Sequence, residues 1–89
     1  MTKPKLIISD HALLRVYQNK MDIDRVEKLW SSAVRVILPL NMVLYKYEKY
    51  GVRHRNITYY WAGGYLFTVA NGRVLISIHK QDRKEVKLA

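Results

Sequence analysis

The chain has 89 residues, 49% of them hydrophobic and 26% charged, which fits one small globular domain and excludes wholesale disorder and low-complexity repetition. It has no Cys, which excludes disulfides, thiolate metal sites and Cys nucleophiles. Sixteen Lys and Arg against seven Asp and Glu give a net charge of +9, which points to a polyanionic partner, nucleic acid first.

Residues 1–5 carry no apolar leader and run straight into structured-looking sequence, so a cytoplasmic location is expected. No apolar run is long enough to span a bilayer, so no membrane partner is expected. A first helix is predicted over Asp10 to Gln18. Ser9 or Asp10 caps it, because either short side chain can accept a hydrogen bond from the exposed first-turn amides. Leu13, Leu14 and Tyr17 form its apolar side. Asp22 caps a second helix, in which Ile23, Val26, Trp30 and Ala33 recur at helical spacing.

From Val34 the periodicity changes to that of strands. Val34 to Leu38, Met42 to Tyr50, Ile57 to Trp61, Tyr65 to Ala70 and Arg73 to Lys80 are the predicted strands. Asn71-Gly72 suits a type I′ hairpin, since both residues tolerate positive φ. In the last strand, strict alternation puts Val74, Ile76 and Ile78 on one side and Leu75, Ser77 and His79 on the other. Residues 81–89 read as a frayed end or a short helix, and residues 1–4 as frayed. The fold class is therefore α+β, a single domain over residues 1–89. Two N-terminal helices pack on one face of an antiparallel sheet of four to five strands. The other face would be rich in Tyr, Lys, Arg and His, a plausible surface for RNA.

Charge is uneven. Residues 33–89 carry ten bases and three acids, and no acid lies between Glu48 and Asp82. Lys46, Arg53, Arg55, Arg73 and Lys80, with Tyr45 among them, are the candidate nucleic-acid contacts: cations for phosphates and an aromatic ring for bases. His11 and Arg15 lie four apart on the first helix and share a face. An imidazole exchanges protons near neutrality and a guanidinium holds a phosphate in bidentate fashion, so the pair suits phosphodiester cleavage without a metal. His79 closes the last strand, and an approach to His11 would supply a general base and a general acid. An ordinary capping-turn His, a solvated Arg and a strand-end His are the competing structural readings. No spacing suggests a metal site and no glycine-rich phosphate loop is present, so no cofactor is expected.

The segment Ser9-Asp10-His11-Ala12-Leu13-Leu14-Arg15 resembles the Ser-x-His-Ala-x-x-Arg opening of small bacterial and phage domains related to RelE-type toxins. An acid-capped second helix follows in that family, as Asp22 to Val26 does here. Ile76-Ser77-Ile78-His79 resembles its closing strand, with His79 where Tyr is usual, and Lys20 stands where an Arg often precedes the second helix. The resemblance implies the fold shared by barnase-like, EndoU-like, colicin-like and RelE-like ribonucleases. It also implies metal-independent endoribonuclease activity, with His11, Arg15, Ser77 and His79 at the matching positions. The implied partners are RNA, ribosome-bound or transfer RNA among them, and an acidic antitoxin protein. The alternatives are a non-catalytic nucleic-acid- or ribosome-binding module and a phage-encoded inhibitor of an acidic host protein.

Overall fold

The computed structural model describes residues 4–39, 42 and 57–89. The order of elements is β1 (Ile7–Ile8), α1 (Asp10–Gln18), α2 (Ile23–Ser32), β2 (Val34–Ile37), β3 (Ile57–Ala62), β4 (Tyr65–Ala70), β5 (Val74–Lys80), a 3-10 turn (Arg83–Glu85) and β6 (Lys87–Leu88). The fold is α+β, with both helices on one face of the sheet. Among the described residues the sheet has six strands rather than four to five, in the order β1-β5-β4-β3-β2-β6. It is mixed rather than wholly antiparallel, because β1 pairs parallel with β5. The two extra strands are two residues each, too short to leave a periodicity in sequence. The strand expected over Met42 to Tyr50 lies almost wholly outside the described residues.

Local chemistry sets the helix ends. Ser9 is the N-cap of α1, its hydroxyl accepting from the Ala12 amide at 3.2 Å, while Asp10 occupies the first turn and suits the helix dipole. Asp22 caps α2 by accepting from the Arg25 amide at 2.8 Å. Lys20, at φ 57°, adopts the left-handed conformation between the helices, and Met21 N bonds back to Val16 O. The buried stripe of α1 is Ala12 and Val16, not the Leu13, Leu14 and Tyr17 side that residue size suggests; Leu14 is 55% exposed and Tyr17 60%. Small side chains let α1 lie close on β5, and the larger residues point out. In α2, Val26 and Trp30 are buried as the spacing predicts.

The helix-side core joins Val16, Val26, Trp30, Phe67, Val69, Leu75 and Ile78. Trp30 meets Tyr60 edge-on at 4.7 Å and stacks near Phe67 at 6.0 Å, and its indole N–H donates to Pro4 O. Gly63, at φ 56°, turns β3 into β4 directly under α2; a Cβ there would lie 2.8 Å from Leu29 Cδ2. A second, smaller cluster of Val36, Leu38, Leu66 and Val86 lies on the other face.

Asn71 and Gly72 have φ of 54° and 74°, as a type I′ turn requires, and Arg73 N closes the turn on Ala70 O at 3.2 Å. Arg73 therefore belongs to the turn, and β5 starts at Val74. Strict alternation fails in β5. Thr68 pairs with Ser77 but Val69 pairs with Leu75, so Ile76 is the extra residue of a β-bulge. The bulge shifts the phase: Leu75 and Ile78 both face the helices, three residues apart. Of the two readings of residues 81–89, a frayed end or a short helix, the short helix is present as the 3-10 turn over Arg83–Glu85. Asp82 caps the 3-10 turn, Val86 is buried in the second cluster, and β6 pairs with β2.

Candidate functional site

Cross-strand partners share a sheet face, so the register places side chains directly. Trp61, Leu66 and His79 form one row across β3, β4 and β5. Tyr59, Thr68 and Ser77 form the next. Leu66 belongs to the second apolar cluster, and Tyr59 and Trp61 pack against it, so both rows lie on the face away from the helices. The bulge at Ile76 puts Ser77 there, two residues before His79 and on the same side. Two rows thus bring three hydroxyls, one imidazole and one indole onto one face.

Their environments differ. Ser77 and His79 are half-buried. Thr68 is 3% exposed, and its hydroxyl is buried with no hydrogen-bond partner among the described residues. An unpaired buried hydroxyl is costly and marks a position worth explaining. Burial pushes the Tyr59 phenol above its ordinary value near 10.0 by disfavouring the phenolate, so Tyr59 keeps its proton at neutral pH. The Trp61 indole N–H donates to Gln81 O at 2.9 Å, and the Arg83 guanidinium carbon stands 5.9 Å from the centroid of that ring.

The other expected site residues are dispersed. His11 is exposed in the first turn of α1, and Arg15 donates to Gln18 Oε1 at 3.2 Å. Both ride on α1, which packs on the helix side of β5. His79 occupies the opposite face, so the sheet separates the two imidazoles and the expected His11–His79 approach does not form. The cause is the bulge, which sets the side on which β5 presents His79. Arg73, in the turn just before β5, and Lys80, at the far end of β5, stand roughly 20 Å apart by strand rise and do not make one patch. Lys80 pairs with Tyr65 and lines a shallow groove with Gly64, Asp82 and Glu85. Tyr45, Lys46, Arg53 and Arg55 lie outside the described residues. Among the described residues, no three His, Cys, Asp or Glu side chains gather as metal ligands would.

Sequence reading missed Thr68, Trp61 and Arg83. A lone Thr inside the apolar run Leu66 to Ala70 is a weak signal that was available. Arg83 falls in the tail, where the sequence suggests a frayed end or a short helix and gives no sign of contact with the sheet. Comparisons with protein-family models, curated proteins and solved structures find no match.

Proposed function

We propose that this chain acts on RNA as a metal-independent endoribonuclease, working from the sheet face that carries Ser77 and His79. The observation that supports this best is the bulge-set placement of His79 beside Ser77 and next to the Tyr59–Thr68–Ser77 row, in a chain of net charge +9. The likeness of residues 76–79 to the closing strand of RelE-type domains points the same way, whereas the likeness of residues 9–15 would put His11 and Arg15 in the site and is not used by this reading.

In the proposed reaction the ribose 2′-oxygen attacks the adjacent phosphorus while neutral His79 takes the 2′-hydroxyl proton. The bond from phosphorus to the 5′-oxygen breaks, water protonates the departing oxygen, and the products are a 2′,3′-cyclic phosphate and a 5′-hydroxyl. Ser77 donates a hydrogen bond to a non-bridging phosphate oxygen as charge builds there. His11 and Arg15, on the other side of the sheet, take no part in this chemistry. If the chain is the toxin of a toxin–antitoxin or mobile-element pair, an acidic antitoxin protein would hold it in the resting cell, by charge complementarity.

The test is cleavage of total RNA and transfer RNA with EDTA present. Wild type should leave 2′,3′-cyclic phosphate ends. His79→Ala should lose about 10²-fold or more in rate with its melting temperature nearly unchanged, while His11→Ala keeps its rate. Intact RNA from folded protein at high concentration would overturn the reading. One observation favours a second reading: among the described residues only one imidazole stands on that face. A non-catalytic RNA- or ribosome-binding module would bind with a steep dependence on salt and leave RNA whole.

A further inference from the structure

The pairing of Trp61 with Arg83 has no role in the chemistry above. Trp61 lies in the same row as His79, two strands away and roughly 10 Å distant by strand spacing. Its indole plane is fixed from two sides. The ring N–H is tied to Gln81 O, and the ring packs on the cluster that includes Leu66 and Val86. Tyr59 stands two residues along β3 on the same face. Arg83, by contrast, is exposed and carried on a short turn, and its guanidinium donates to Val86 O at 2.9 Å. A rigid aromatic surface thus sits beneath an exposed cation, which is what an unpaired base and its phosphate require.

We infer that Trp61 and Arg83 form a subsite for one unpaired nucleotide: the base stacks on the indole and the guanidinium turns to the phosphate. The inference rests on reading this face as the RNA-facing surface. It adds a substrate class, single-stranded rather than duplex RNA. A paired base has both faces stacked within its own helix and offers no free face to Trp61. The occupant is a polyanion by charge: the tail exposes Arg83, Lys84 and Lys87 against Asp82 and Glu85, in a chain of net charge +9.

Intrinsic fluorescence tests this, because the two tryptophans differ. Trp30 is 5% exposed in the helix-side core, so emission that responds to a ligand on the other face belongs to Trp61. The probe is a 5′-labelled 12-nucleotide RNA with 2′-O-methyl groups, which cannot be cleaved by 2′-hydroxyl attack. It is added as a single strand and as a duplex with its complement, with anisotropy read alongside. The single strand should quench Trp61 saturably and the duplex should bind about tenfold or more weakly, in line with the loss of one stacked base. Arg83→Gln, a surface change, should weaken single-strand binding several-fold without moving the melting temperature. Equal affinity for duplex, binding with unchanged tryptophan emission, or no binding at all would overturn the inference. Trp61 quenching without RNA cleavage would sink the ribonuclease reading and leave the subsite standing. Cleavage without quenching would do the reverse.

Discussion

The two faces of the sheet are built from the same strands and differ in nearly everything else. On the helix side, Phe67, Val69, Leu75 and Ile78 meet Val16, Val26 and Trp30, and apolar burial holds the layers together. On the other side, the alternate residues of β3 to β5 include Tyr59, Trp61, Thr68, Ser77 and His79, and the apolar cluster among the described residues is small. One face spends its side chains on stability, whereas the other keeps polar groups where packing alone would favour aliphatic ones. The bulge at Ile76 joins the two requirements. It lets β5 offer Leu75 and Ile78 to the core while Ser77 and His79 face away.

Substitutions can break or sharpen this contrast. The largest effect is expected from Phe67→Ala, which opens a cavity at the centre of the helix-side core. It should cost about 3–5 kcal/mol in denaturant unfolding, whereas Ser77→Ala should cost under about 1 kcal/mol. Similar losses for the two would contradict the division of labour. Gly63→Ala adds a Cβ in the left-handed region against Leu29, and about 1–2 kcal/mol should be lost in the same measurement. Thr68→Val should move stability the other way, by about 0–1 kcal/mol, because it removes a buried hydroxyl that has no partner among the described residues. A clear loss instead would mean that the hydroxyl is bonded.

The smallest effect is a pH dependence. The Tyr59 phenol is raised in the folded state, so its contribution to stability is complete below about pH 10 and is lost as pH rises through the higher folded value. Wild type should therefore lose melting temperature relative to Tyr59→Phe between pH 9 and pH 11. Parallel curves would remove burial as the cause.

The fold class was legible because its signals are local. Ser9 and Asp22 stand before helical spacings, Asn71-Gly72 before a strand, and the switch from period 3.6 to period 2 falls at Val34. The candidate site was only partly legible, since it depends on register. Reading β5 as regular correctly groups Ser77 with His79 but assigns Leu75 to their side, and no residue type announces a bulge at Ile76. His11 and Arg15 share a flank of α1 as their spacing predicts, yet spacing within a helix says nothing about which sheet face lies beneath it. The tail was legible only in part: the short helix is there as the 3-10 turn, but β6 is two residues long and the burial of Val86 comes from tertiary contact alone.

The central claim is that RNA meets the face bearing Ser77 and His79 rather than the helices. The most direct test follows side-chain and amide NMR resonances while the 2′-O-methyl single strand is added. The resonances of His79, Ser77 and Trp61 should shift together and saturate, while those of His11, Arg15 and Leu14 stay in place. Shifts confined to α1, with His79 unmoved, would contradict it.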